Sequence, residues 1–282
     1  MRDVSGKEIE EVVKEMCMDA NYNLGEDVVD AIRKAKEREE SPTGKAILED
    51  ILKNIEVGKK EKLAICQDTG FAVYFVELGE DVRIVNGHYM DAFIEGTRRG
   101  YTDGYLRKSI VSDPVLARVN TKDNTPPIVY TDIVPGDKIK ITMCPKGGGA
   151  ENMAEVRMLT AAHGIEGVKK FVLERVEKSG GNPCPPVVVG VGIGGTFEKC
   201  AMLAKKALLR YPLGSHNPDK RFAEVEEELL EKVNNLGIGP MGLGGRTTAL
   251  AVNIETYPCH IATMPVAVNF NCHAARHKTR VI

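Results

Sequence analysis

The chain has 282 residues, 43% of them hydrophobic, with a formal net charge of −2 and a pI near 6.3. That is enough apolar material for a substantial core, and the near-neutral balance excludes a nucleic-acid or polyanion footprint. The longest apolar run, Pro185 to Ile193, contains glycines and is less than half the ~20 residues a membrane helix needs, so no membrane association is expected. With a polar start at Met1-Arg2-Asp3, the expectation is a cytoplasmic protein.

In chain order, residues 7–57 read as helical. Ile9, Val12, Val13 and Met16 share one face, as do Val28, Val29 and Ile32 on the next segment. Ser41-Pro42 supplies an N-cap and a first-turn proline for a third helix. Strands are predicted at Leu63–Ile65 and Phe71–Val76, separated by the polar turn Cys66-Gln67-Asp68-Thr69-Gly70. A helix through Met90 and Tyr101 and a loop from Ser112 to Pro127 come next. Two strands, Ile128–Val134 and Lys138–Met143, then flank a Pro-Gly-Asp turn.

Lys146-Gly147-Gly148-Gly149 is read as opening a helix that begins near Glu151 and includes Val156, Met158 and Leu159; a second helix covers about 165–178. Pro186–Val191 is a buried strand ending in Gly192-x-Gly194-Gly195, followed by a helix through Cys200. Residues 221–235 form another helix, and Thr248–Ile254 a strand. The pattern predicts an α/β fold, mixed sheet layers with helices in one domain over 1–282, with residues 1–57 as a helical N-terminal layer.

Seven cysteines, at 17, 66, 144, 184, 200, 259 and 272, lie far apart with no C-x-x-C pair, which argues against a disulfide scaffold, a zinc ribbon or a thioredoxin-type site. They are either inert buried thiols or ligands gathered from distant parts of the chain. Cys17, Cys144 and Cys200 fall in or beside regular elements and read as packing residues, whereas Cys66, Cys184 and Cys272 fall in loops. Gly190-x-Gly192-x-x-Gly195 satisfies the dinucleotide fingerprint literally, but no strand with an acidic end follows ~20 residues on, so a packing turn is the better reading. The triple glycine at 147–149 stands evenly between a carboxylate- or phosphate-binding loop and a plain helix start. His260 is either a structural histidine or an acid/base group.

Taken together, Cys66-Gln67-Asp68-Thr69-Gly70, Leu106-Arg107-Lys108-Ser109, Asp123-Asn124-Thr125-Pro126, Lys146 to Asn152, Asn182-Pro183-Cys184-Pro185-Pro186, Gly192 to Thr196 and Pro258 to Cys272 have a specific order and spacing. On these motifs nearly the whole chain resembles the class I, iron–sulfur fumarate hydratases, in particular the alpha subunit of the two-subunit kind. The alpha subunit of L-tartrate dehydratase is closely similar. The resemblance implies a 4Fe–4S cluster held by Cys66, Cys184 and Cys272, with one iron open to substrate. It implies substrate contacts at Gln67, Arg107 and Gly148, and catalytic roles for Asp68 and His260. It turns the triple glycine toward a carboxylate site.

Single-chain members of that family carry a second domain that this sequence lacks, so the resemblance implies a separate beta subunit, a hetero-oligomer, and little turnover by the chain alone. The expected reaction is reversible hydration of fumarate to L-malate, with tartrate dehydration to oxaloacetate as the alternative small dicarboxylate chemistry. Outside that class, a nucleotide-binding or regulatory subunit would use the glycine-rich loops without iron.

Overall fold

In the computed structural model, which describes residues 1–282, a short strand β1 (Arg2–Ser5) leads into helices α1 (Gly6–Tyr22), α2 (Glu26–Arg38) and α3 (Pro42–Glu61). Ser5 caps α1, its hydroxyl accepting from the Lys7 N–H at 3.3 Å. Helix α3 opens where the Ser-Pro pair predicts, with the Ser41 hydroxyl accepting from the Gly44 N–H at 3.1 Å. The expected strand at Leu63–Ile65 is not formed. Leu63 folds back on α3 through its N–H to the Gly58 carbonyl, and the Ile65 N–H goes to the Asn21 carbonyl at 3.0 Å. Their backbone donors are therefore consumed by helix ends, which leaves no ladder to join.

The remaining elements are β2 (Phe71–Gly79), β3 (Val82–Val85), α4 (Tyr89–Asp103), β4 (Ile128–Val134), β5 (Ile139–Lys146), α5 (Gly148–Glu151), β6 (Glu155–Leu159), α6 (Gly164–Ser179), β7 (Val187–Gly194), α7 (Phe197–Ala207), α8 (Lys220–Asn234), β8 (Ala249–Tyr257), β9 (Met264–Asn271) and β10 (Lys278–Val281). The fold is mixed α/β, as expected, and the chain divides into two compact units. One comprises Met1–Gly25, Ile55–Gly148 and Arg276–Ile282; the other Glu26–Asn54 and Gly149–Ala275.

In the first unit the sheet order is β10-β5-β2-β4, with β2 parallel to β4 and antiparallel to β5, while β1 pairs with β3. Helices α1 and α4 bury Ile9, Val13, Met16 and Phe93 with Tyr74 and Ile141 of the sheet. The Tyr74 hydroxyl keeps partners inside that core, Cys17 Sγ at 3.1 Å and Thr97 Oγ1 at 2.9 Å, which avoids the cost of a buried orphan hydroxyl.

In the second unit the order is β6-β9-β7-β8, with β7 parallel to β8 and antiparallel to β9. The core is Val187, Val189, Val191, Ile254, Val268 and Phe270 against Phe171 and Leu229 of the helices. The helix expected from Glu151 to Leu159 is corrected here. The triple glycine opens only the single turn α5, closed by the Met153 and Ala154 N–H groups, and residues 155–159 pair antiparallel with β9 from Glu155↔Val268 to Leu159↔Met264. A ready partner strand overrides the local helical spacing.

Helix α7 lies directly on β7. A Cβ on Gly190 would stand 2.1 Å from the Ala204 carbonyl oxygen, and one on Gly192 would stand 2.0 Å from that of Cys200. These glycines exist to let a helix backbone reach a strand, and the fingerprint-like spacing is a packing device. Gly192→Ala should cost about 2 kcal/mol or more through overpacking, read as a lowered Tm. An unchanged Tm would mean that α7 can withdraw freely.

Glu39, 1% exposed, closes α2 in the second unit. Its carboxylate accepts N–H groups from Glu40, Ser41, Arg246 and Thr247 at 2.7–3.0 Å. Burial alone would push this carboxyl up, but the backbone donors outweigh it and bring its pKa down to about 2. A depressed carboxyl stabilises the fold above the unfolded value near 4.5, and that contribution disappears as pH falls toward about 2. Glu39→Gln should lower stability by on the order of 3 kcal/mol at neutral pH and flatten the acid limb between about pH 5 and 2, as measured by urea unfolding across pH.

Candidate active site

In the first unit the turn Cys66-Gln67-Asp68-Thr69-Gly70 leaves the helical region and enters β2. Cys66 and Asp68 are half-buried and Gln67 is exposed. The Asp68 carboxylate is fixed by two backbone donors, with Oδ1 accepting from Gly70 at 3.0 Å and Oδ2 from Gly148 at 2.7 Å. Gly70 sits at φ +78°, where an added Cβ would be 2.7 Å from the Pro145 carbonyl carbon and 2.8 Å from the Lys146 nitrogen. No other residue fits where β5 runs into the glycine loop.

The turn's carbonyls are taken by buried side chains. The Tyr101 hydroxyl donates to the oxygens of Thr69 and Gly70, at 2.7 and 3.0 Å. Asn124, held at φ +62°, donates to Gly70 O at 3.1 Å and accepts from the Ser109 N–H at 2.7 Å. The Thr69 hydroxyl donates to the Arg107 carbonyl at 3.0 Å, which joins the turn to the loop after α4. The Arg107 side chain is exposed and makes no hydrogen bond or ion pair of its own. Asp68 and Gly148 are thus hydrogen-bonded directly, Arg107 is joined to the turn through its carbonyl, and Gln67 adjoins Asp68 on the same turn, so the four belong to one loop cluster. The Gly148 N–H is already spent on Asp68, and α5 is a single turn, so the loop acts through individual N–H groups and carries little helix dipole.

In the second unit Cys184 is exposed and Cys272 half-buried, at the mouths of β7 and β9. Cys184 adopts φ +56°, rare for a residue with a side chain, between two prolines. Its carbonyl accepts both the His273 N–H and His273 Nδ1 at 3.2 Å, so the two thiol-bearing loops are tied together. His260 lies in the turn between β8 and β9, its Nδ1 accepting from the Ala262 N–H at 3.1 Å, which leaves Nε2 as the outward donor. It lines a groove of about 560 Å³ with Phe197, Lys199, Tyr257 and Cys259; neither Cys184 nor Cys272 belongs to that lining.

The set of three thiols is divided, Cys66 in the first unit and Cys184 and Cys272 in the second, and neither unit by itself gathers three metal-holding side chains. The donor chemistry nevertheless separates these cysteines from the packing ones. Burial pushes the Cys17 thiol up to about 12 and Cys200 up to about 11, so both resist becoming thiolates. Cys144 is buried in β5, as expected. Cys66, Cys184 and Cys272 reach solvent on loops, and soft thiolate donors of that kind suit an iron–sulfur cluster. Cys259 is also exposed, its thiol directed to the Thr263 carbonyl at 3.2 Å.

The fumarate hydratase (fumerase) family profile matches residues 10–281. The chain belongs to this family. Of its relatives, the L(+)-tartrate dehydratase subunit alpha named in Methanocaldococcus jannaschii is 40% identical, covering 97% of each chain. The L(+)-tartrate dehydratase subunit alpha of Escherichia coli O157:H7 is 36% identical over 96% of this chain and 90% of its own, and that of Shigella sonnei 35% identical over the same shares. No helix of this family member is long and apolar enough to cross a membrane.

Sequence reading missed the residues that hold the turn, chiefly Tyr101, Asn124 and Arg276. Tyr101 reads as an apolar helix position, and only the polar Asp-Asn-Thr-Pro run hints at Asn124. Asn124→Ala should lower the Tm, since it orphans the Ser109 N–H and leaves the Gly70 carbonyl with Tyr101 alone, at about 1–3 kcal/mol for a buried unpaired group. Hydrogen exchange should quicken at Ser109 and stay unchanged in the second unit.

Proposed function

We propose that this chain is the alpha subunit of a cytoplasmic iron–sulfur hydro-lyase that adds or removes water on a four-carbon dicarboxylate. The reading rests on family membership over nearly the whole chain, and the observation that carries it is the loop cluster of Gln67, Asp68, Arg107 and Gly148. Cys66, Cys184 and Cys272 would hold a 4Fe–4S cluster. When bound, that cluster supplies a Lewis-acidic iron for the departing or incoming hydroxyl.

The chain's own residues then divide the work. Arg107, with an uncommitted guanidinium, grips a substrate carboxylate through a bidentate pair. Asp68 uses one lone pair of each oxygen on Gly70 and Gly148 and keeps the others to orient or accept a substrate proton. Gln67 supplies amide donors from its exposed position, and His260 offers its Nε2–H as a polar or acid/base contact. A separate beta subunit completes the machinery, in line with relatives named as alpha subunits.

Fumarate to L-malate is the first reaction proposed. The second is L-tartrate dehydration to oxaloacetate, favoured by the names of the 35–40% identical relatives. In both, one water is added to or lost from adjacent carbons, and the tartrate product reaches oxaloacetate by tautomerisation of the enol.

The test is anaerobic co-purification with a beta subunit of the same kind, followed by iron and sulfide analysis and assays on fumarate, malate and tartrate. A load of about four irons per alpha chain, lost with activity in Cys66→Ser, Cys184→Ser and Cys272→Ser but kept in Cys259→Ser, is expected. A fully active, iron-free complex would sink the proposal, and relative kcat/KM on the substrates decides between the two reactions.

A further inference from the structure

Arg276 is 2% exposed, yet no carboxylate pairs with it. Its donors go to two neutral oxygens, Nη1 to Asn21 Oδ1 at 2.8 Å and Nη2 to the Asp68 carbonyl at 2.9 Å, while Nε has no acceptor. Burying a guanidinium against neutral partners costs several kcal/mol, so its retention here is poorly explained by stability alone.

Asn21 makes the arrangement a bracket. It is fully buried in the last turn of α1, its Nδ2 donating to the Cys17 carbonyl at 2.9 Å. Its backbone carbonyl takes the Ile65 N–H just before the turn, and its Oδ1 anchors the arginine that takes Asp68 O just after Gln67. Cys66 and Gln67 are therefore pinned at both ends from one helix terminus. Of the side chains that hold the carbonyls of residues 68–70, Arg276 alone is charged, and it holds the carbonyl of Asp68 itself.

We infer that Arg276 is a positioning residue that acts through Asp68. By gripping the Asp68 carbonyl it fixes the peptide from which the Asp68 carboxylate and the Gln67 amide project toward substrate. This deepens the proposed hydro-lyase reading and rests on it. A 1 Å misplacement of a reacting group can cost 10²-fold in rate, so a loosened bracket is expected to appear in kcat with little change in KM.

The test compares Arg276→Gln, Arg276→Lys, Asp68→Asn and the Asp68→Asn/Arg276→Gln double variant in the cluster-loaded alpha–beta complex. Arg276→Gln should keep its iron and change KM less than about threefold, with kcat reduced on the order of 100-fold; Arg276→Lys, which can still reach one of the two oxygens, should recover part of the loss. The double variant should be no slower than Asp68→Asn alone, because the two changes disable one device.

Hydrogen exchange provides a readout independent of turnover. In Arg276→Gln the Gly70 and Gly148 amides, which donate to the Asp68 carboxylate, should exchange at least about tenfold faster while α6 is unchanged. If Arg276→Gln fails to fold or loses iron, the same amides in Arg276→Lys decide: faster exchange supports the assignment and wild-type exchange overturns it. Wild-type kcat in Arg276→Gln, or losses that multiply in the double variant, would also overturn it. Full turnover in Asp68→Asn would instead bring down the parent reading of Asp68.

Discussion

A turn that belongs to no helix and no sheet must still satisfy its backbone, and the Cys66–Gly70 segment depends on that constraint. Its carbonyls are met by Arg276, Tyr101 and Asn124, and its own carboxylate reaches back to the N–H groups of Gly70 and Gly148. Apart from Gly70 itself, each partner comes from a different part of the first unit: the C-terminal segment, α4, the Asp-Asn-Thr-Pro loop and the glycine loop after β5. The first unit's architecture is thereby coupled to the orientation of a few polar atoms. Loss of Arg276 or Tyr101 leaves the Asp68 or Thr69 carbonyl unmet, which keeps the turn in one conformation without a ladder around it.

Much of the fold is legible locally. The Ser-Pro signal starts α3, apolar spacing marks α1, α2 and α8, and β-branched runs mark β4 and β7. The failures share a cause. Residues 155–159 and 63–65 contain the same side chains that elsewhere make helices and strands, and a distant partner decides: β9 recruits the former into a ladder, while helix ends take the backbone donors of the latter. β10 escapes notice because its exposed residues carry no alternating pattern and its place depends on β5.

The candidate site is legible in its motifs and illegible in its supports. Polar neighbours distinguish the loop cysteines from Cys17, Cys144 and Cys200, and burial bears out that these three are packing residues. Arg276, by contrast, meets Asn21 and Asp68 across 255 and 208 residues of sequence, with nothing in Ala274-Ala275-Arg276 to announce it. The Gly190 and Gly192 pair teaches the converse. A pattern that looks functional is explained by the closeness of α7, whose carbonyls occupy the space where side chains would be.

The bond between Gly148 and Asp68 has a thermodynamic corollary. An incoming carboxylate that claimed that N–H would have to evict a carboxylate already in place, so one anion would be swapped for another. Such an exchange adds little to affinity. Were a substrate carboxylate to bind there, the exchange would act as a filter, because stray monoanions would gain nothing by competing with the resident group, and only a reactant anchored at a second point would be held long enough to win the trade.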